Sequence, residues 1–343
     1  MKKLILGLLV LVLAACQTLP EPEMTVEVGV KQRHPIRHLK DLDPALLEIP
    51  EALNVVRPLA LSLGNYVMPP SGKVVWDWQI GGTDSTITVP TGTQLLDVDG
   101  FNISAAKISS LKAQGIYTVC YIDAGSYESG RPDSSLYPAY TKLYYDSAWG
   151  EWFLDVRDVF KPILPVGTQL VNNKWVDANG VPLVGKPTQG ALAPLLTARL
   201  KMCKDKGFDA LEPDNLQNDE NTPGLLTKQN QVDFDGWLAD LAHSMGLAIF
   251  QKNAPGDILL KDRTGVMLVD KFDGILNEQC QQYNECAPLK EYSSRGKLAL
   301  DVEYKKSLTL NCSSFNNLGV NALKKDLNLV GGKSSGYKRT ACP

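Results

Sequence analysis

The sequence predicts an α/β chain of the (β/α)8, or TIM-barrel, class, and three observations carry that expectation. About eight short apolar runs read as strands, and helix-like segments separate most of them over roughly 230 residues, the size of such a barrel. Acids or amides finish nearly every run. Side chains at the carboxyl ends of barrel strands converge on one mouth, so a ring of acid-tipped strands suits a closed barrel better than the runner-up, a doubly wound sheet, which gathers its chemistry at one crevice.

The chain opens with Lys2 and Lys3, the apolar run Leu4 to Leu13, and Ala14-Ala15-Cys16. That run is too short to span a bilayer and has the form of an export signal. Leu13-Ala14-Ala15-Cys16 resembles a bacterial lipobox, which implies removal of residues 1–15 and acylation of Cys16. Gln17, in place of an acid, favours the outer membrane or cell surface by the same resemblance. Residues 16–72 mix Pro, Glu and short apolar patches and read as a tether or N-terminal extension that gains order toward Leu59 to Tyr66.

Residues 73–343 are assigned to the barrel. Val74 to Ile80, closed by Gly81-Gly82, is the first strand, and Leu95 to Asp99 the second. Ser104 to Gln114 reads as a helix with a serine N-cap, ended by Gly115. Ile116 to Asp123 is the third strand and Trp152 to Asp158 the fourth. Residues 161–189, rich in Gly, Pro and Asn, read as an insertion holding a hairpin over Leu170 to Leu183 with its turn at Asn179-Gly180. Leu192 to Lys206 is a helix stopped by Gly207, and Phe208 to Asp214 a strand on which Glu212 and Asp214 share a face. A helix over Gln229 to Met245 follows, with Phe234, Trp237, Leu238 and Leu241 on its core stripe. Leu247 to Asn253, Phe272 to Glu278 and Gly296 to Tyr304 complete the strands.

Composition narrows the chemistry. A formal net charge of -3 suggests neither a nucleic-acid partner nor an anionic lipid surface. The six cysteines beyond Cys16 form no CxxC pair, so in an exported chain they read as disulfides and not as a zinc site. Cys280 and Cys286 bracket one polar loop, and Cys312 with Cys342 ties down the tail. Inward parity of Asp123 turns Cys120 outward, toward Cys203 on its helical stripe. No GxSxG, Walker loop or GxGxxG is present, and His243 sits on a helix with buried neighbours. Asp97, Asp99, Glu212 and Asp214 have the oxygen ligands for Mg²⁺ or Ca²⁺ but no loop register, so neither metal nor cofactor is expected. What remains is carboxylate chemistry of the glycosidase kind, with Asp214 and Glu278 on two strand ends. Trp76, Trp78, Tyr121, Tyr127, Trp149 and Tyr304 near the strand ends have the shape to stack on sugar rings, though packing is the commoner fate of such rings.

Trp76-Asp77-Trp78-Gln79, Tyr121-Ile122-Asp123-Ala124-Gly125 with Glu128, Trp152 to Arg157, Glu212-Pro213-Asp214-Asn215, Gln251-Lys252-Asn253-Ala254, Asn277-Glu278-Gln279-Cys280 and Val302-Glu303-Tyr304 occur in an order similar to that of glycoside hydrolase family 114, over roughly Lys73 to Lys305. The resemblance implies an endo-α-1,4-polygalactosaminidase-like barrel. Asp214 would be nucleophile and Glu278 general acid/base, with Asp77, Asp123, Asp155, Glu212, Lys252, Asn253, Asp301, Glu303 and Tyr304 lining the cleft. The partner would be a polysaccharide, cationic because the expected mouth is acidic, and the enzyme a lipid-anchored monomer of the cell envelope. Two other classes stay open on sequence: a glycan-binding lipoprotein without catalysis, and a metal-dependent phosphoesterase.

Overall fold

Eight parallel strands form the centre of the structure, a computed structural model that describes residues 66–161, 169–171, 174–176 and 190–343. In chain order they are β1 (Trp76–Trp78), β2 (Leu95–Asp99), β3 (Tyr117–Asp123), β4 (Ala210–Asp214), β5 (Ala248–Lys252), β6 (Gly274–Glu278), β7 (Leu298–Glu303) and β8 (Val320–Lys325). Each pairs in parallel with the next. A short strand, β9 (Arg339–Ala341), runs antiparallel along the free side of β8. The expected leader, the acylation site Cys16 and nearly all of the tether lie outside the described residues.

Side-chain parity divides the apolar residues into two cores. Trp76, Trp78, Leu95, Tyr117, Val119, Phe250, Leu276, Leu300 and Leu323 fill the barrel interior. Leu96, Val98, Cys120, Leu211, Ile249 and Ile275 point the other way and pack on helices α1 (Ala105–Ala113), α2 (Leu192–Asp205) and α3 (Lys228–Ser244). Strands covered on both faces must be apolar almost throughout, which is why β2 to β7 read as strand-like runs. Gly274 serves this packing. A Cβ there would lie 2.6 Å from the Phe250 ring and 2.7 Å from the Leu298 carbonyl oxygen. The helix signals are also realised: Ser104 caps α1 by accepting from Lys107 N, and Thr227 with Asn230 forms a capping box on α3.

Two strand assignments change. Glu151–Leu154, expected as the fourth barrel strand, belongs instead to a three-stranded antiparallel sheet with Ser126–Tyr127 and Lys142–Asp146, inserted after β3. Trp152 is exposed and Phe153 buried, the alternation of a strand with one wet face. The missing barrel strand is β8, from the stretch expected to be a tail. Its Asn321, Lys324 and Lys325 disguise it, yet Asn321 Oδ1 accepts from Val74 N at 2.9 Å and Lys325 Nζ bonds Asp77 Oδ1 at 2.6 Å. These side chains bridge β8 to β1. From β9, Arg339 donates twice to Trp76 O, so the last strand helps close the ring. The hairpin in the insertion is present, but Gln169–Val171 pairs with Lys174–Val176, so its connection falls at 172–173; Asn179 and Gly180 lie outside the described residues.

The cysteines join in the three expected pairs. Cys120 on β3 meets Cys203 on α2, Cys280 meets Cys286, and Cys312 meets Cys342 beside β9. At the opposite end of the barrel from the acid-tipped strand ends, Tyr66 donates to Asp273 at 3.1 Å and stacks on His243. His243 bonds the same Asp273 at 2.9 Å and is a structural residue.

Candidate active site

The site is built on three adjacent strand ends, β4, β5 and β6, whose inward positions are Glu212 and Asp214, Phe250 and Lys252, and Leu276 and Glu278. Lys252 stands among three carboxylates. Its Nζ lies 2.7 Å from Asp214 Oδ1, 3.2 Å from Glu278 Oε2 and 3.2 Å from Glu212 Oε1, with the Trp78 ring 5.0 Å away. Lys252 and Glu212 are buried, whereas the side chains of Asp214 and Glu278 keep 24% and 26% exposure. Those two acids are therefore the ones a substrate can reach.

Neighbouring groups fix each reachable acid. Tyr121 OH donates to Asp214 Oδ2 at 3.0 Å and Asn215 N to Oδ1 at 2.9 Å. Asn253 holds Glu278 twice, accepting from its backbone N at 2.8 Å and donating to Oε2 at 3.1 Å, while Tyr304 OH donates to Oε1. The residue after each site side chain adopts a left-handed backbone: Asn215 at φ 63°, Asn253 at 53° and Gln279 at 61°. This conformation is costly outside glycine and least so for asparagine, and it turns the chain sharply off the strand. Gly125 is needed beside the first of these turns, because a Cβ there would lie 1.9 Å from Asn215 O.

The electrostatics separate the acids into two kinds. Burial opposes ionisation of Asp214, but the Lys252 charge and the donated hydrogen bonds outweigh it and hold its pKa below the ordinary carboxylate value. For Glu212, burial outweighs Lys252, and for Asp97, burial and the Glu212 charge act together, so both pKa values lie well above the ordinary value. Both oxygens of Asp97 are buried without a hydrogen-bond partner, as is Trp78 Nε1, and Glu212 has only the Lys252 contact at Oε1. Burial and the nearby Glu128 and Glu151 charges likewise raise Asp123. Lys252 is kept protonated against its burial by Asp214, Glu212 and Glu278.

The expected cleft residues are thus only partly brought together. Asp214, Glu278, Glu212, Lys252, Asn253 and Tyr304 form one cluster, and Asp123 adjoins it through Asn215 Nδ2 at 2.9 Å. Asp77 is committed to the β1–β8 seam, bonding Lys325, Tyr337 and Gln79. Asp155 caps the short helix Val156–Phe160 and pairs with Arg157. Asp301 and Glu303 have the outward parity of Ala299 on β7; they accept from Cys280 N and from the Gln281 and Gln282 backbone. The strongly acidic mouth expected from sequence is accordingly smaller, because Glu128 also pairs with Arg131. Asp97, weighed on sequence only as a metal ligand, belongs to the cluster's interior. Its signal was its inward parity with Leu95. Arg199 is a second residue that sequence did not mark: it is buried on α2 and donates to Asp123 O, supporting the end of β3.

Among the described residues one group has metal-ligand spacing, Cys280, Asp301 and Glu303, but Cys280 is spent in a disulfide. At the cluster the Lys252 ammonium already bridges the carboxylates that a divalent ion would need.

A parallel barrel whose strand ends present two reachable carboxylates around a buried lysine has the form of a barrel glycoside hydrolase. The chain belongs to glycoside-hydrolase family GH114, whose family model matches residues 59–342. That span starts before Lys73 and runs past Lys305, so it takes in β8 and β9. Among solved structures, the Aspergillus fumigatus Ega3 complex with galactosamine is similar with a TM-score of 0.60 and 23% identity, covering 81% of this chain and 100% of that one. The glycoside hydrolase domain of PelA from Pseudomonas aeruginosa gives a TM-score of 0.49 and 14% identity, covering 78% and 98%. At 23% identity the likeness to Ega3 is one of fold. No curated protein matches the chain.

Proposed function

We propose that the protein cleaves a galactosamine-containing polysaccharide by a retaining mechanism, with Asp214 as nucleophile and Glu278 as general acid/base. The observation that carries this is the shared contact with Lys252. Two oxygens at 2.7 and 3.2 Å from one nitrogen are under about 6 Å apart, near the spacing of about 5–5.5 Å that retaining enzymes use and below the wider gap that must admit a water. Asp214, held ionised by Lys252 and by donors on both oxygens, is suited to attack the anomeric carbon. Glu278 then protonates the leaving oxygen and later deprotonates water. The galactosamine present in the Ega3 complex supports an amino-sugar substrate, as does the excess of carboxylates over bases around Lys252. Export and lipid anchoring through Cys16 would place the enzyme, as a monomer, at the cell envelope.

Asp214→Asn and Glu278→Gln test the roles, since each removes charge and proton traffic but little volume. Each should lower turnover by at least about a thousandfold with the fold retained, and near-normal turnover in either variant would refute the assignment. Partly deacetylated galactosaminoglycan should be cleaved faster than the fully acetylated polymer. Equal rates would remove the cationic substrate.

A further inference from the structure

We propose that Asp123 is a positioning residue of the reaction, holding Asn215 and through it Asp214 as a neutral, protonated acid. This rests on reading Asp214 as the nucleophile. Sequence put Asp123 among the residues lining the cleft, but at 1% exposure it is too enclosed to be a sugar ligand. Neighbouring groups occupy its oxygens. Oδ1 accepts from Ser126 N at 2.7 Å, and Oδ2 lies 2.6 Å from Ser126 Oγ and 2.9 Å from Asn215 Nδ2.

The proton follows from a count of hydrogens. Ser126 Oγ is within hydrogen-bond distance of two acids, Asp123 Oδ2 at 2.6 Å and Glu151 Oε2 at 2.8 Å. A serine hydroxyl has one hydrogen, so it donates to one acid and accepts from the other, which must then be protonated. Burial decides which. Glu151 is half-buried and Asp123 fully buried, and the more buried acid loses more hydration on ionising. The surrounding charges agree: Glu128 and Glu151 from the inserted segment and Asp214 from β4 all oppose ionisation of Asp123. The nearby bases are engaged elsewhere. Arg199 of α2 donates to Asp123 O and pairs with Asp133, while Arg131 pairs with Glu128. The hydrogen bonds therefore run from protonated Asp123 through Ser126 to an ionised Glu151.

This arrangement ties the end of β3 to the turn after β4. Asp123 and Asp214 are opposite in the β3–β4 register, and Ala124 N and Gly125 N both donate to Asp214 O at 3.1 Å. Asn215 completes the clasp. Its backbone is left-handed at φ 63°, its N donates to Asp214 Oδ1 at 2.9 Å, and its Nδ2 reaches Asp123. A residue other than glycine persists in that conformation where its surroundings hold it, and the Asp123 contact is such a hold. Neutrality matters as much as the tether. A second ionised carboxylate here would oppose ionisation of Asp214, which has to be charged to attack.

Variants of the full chain test this on a short galactosamine oligosaccharide. Asp123→Asn keeps the donor and acceptor of a protonated acid, so kcat should stay within about threefold of wild type and the acid limb of the pH profile should not move. Asp123→Ala, and Asn215→Gly with its left-handed turn intact, should each lower kcat by about ten- to a hundredfold, at a KM within about twofold of wild type. Their double variant should fall little further, because both cut one tether. The infrared difference spectrum of wild type against Asp123→Asn at neutral pH should contain the carbonyl stretch of a protonated carboxyl. The inference is overturned by Asp123→Asn as impaired as Asp123→Ala, an acid limb moved to lower pH in Asp123→Asn, a raised KM at full kcat in Asp123→Ala, additive losses, or no such stretch. Where Asp214→Asn is inactive those results refute the positioning role alone, whereas an active Asp214→Asn refutes the nucleophile.

Discussion

Replacing Lys252 by methionine keeps most of the apolar stem and removes one buried positive charge. At an effective dielectric constant of about 20, unit charges at the separations seen here attract by about 5–6 kcal/mol per pair, against which the desolvation of the ammonium must be set. Removing one member of a buried pair costs about 3–5 kcal/mol, and Asp214 should lose the charge that holds its pKa down. The sign follows. Asp214 must be ionised to attack, so the acid limb of the kcat/KM profile moves alkaline. At neutral pH, kcat/KM should drop by about 10²–10³. Stability should also change with pH, in the opposite direction. Without the lysine, the carboxylates of Asp214 and Glu212 have folded pKa values above their unfolded ones, so stability is retained at low pH and lost as pH rises through the folded values. Melting curves and pH–rate profiles of Lys252→Met on a short oligosaccharide would measure both effects. An acid limb that stays at its wild-type position, with normal stability at pH 8, would refute the central place given to Lys252.

Three further outcomes are expected. Asp97 has a raised folded pKa, so the wild type should lose stability as pH rises from the ordinary carboxylate range through that value; Asp97→Asn, which mimics the protonated acid, should flatten the decline, and parallel melting curves between pH 4 and 9 would contradict this. Breaking the Cys312–Cys342 bridge, which closes 30 residues around β8 and β9, should cost about 2–5 kcal/mol in denaturant titrations, whereas a loss below about 0.5 kcal/mol would show that the seam does not depend on it. Cys16→Ser should move the protein from the membrane to the soluble fraction, and unchanged fractionation would argue for an unanchored enzyme.

Where strands are covered on both faces, the sequence declared them. The runs ending in Asp123, Asp214, Lys252 and Glu278 are apolar almost throughout, and their parity alone put Glu212 and Asp214 on one face and Cys120 opposite Cys203. The pairing of local cysteines followed from the same logic. Other features depended on partners distant in the chain. Val320–Lys325 looks like a polar tail because its Asn321 and Lys325 are matched by Val74 and Asp77, nearly 250 residues away. Trp152-Phe153-Leu154 resembles a barrel strand until its neighbours prove to be Tyr127 and Tyr145. Asp301 and Glu303 end a barrel strand as site acids do, yet one residue of parity turns them outward to the Cys280–Tyr283 helix. The charge state of the site was least legible. Asp97, Glu212 and Asp214 are equivalent letters in the chain, and only the position of the Lys252 ammonium, closest to Asp214 and buried with the others, decides which carboxylate is ionised.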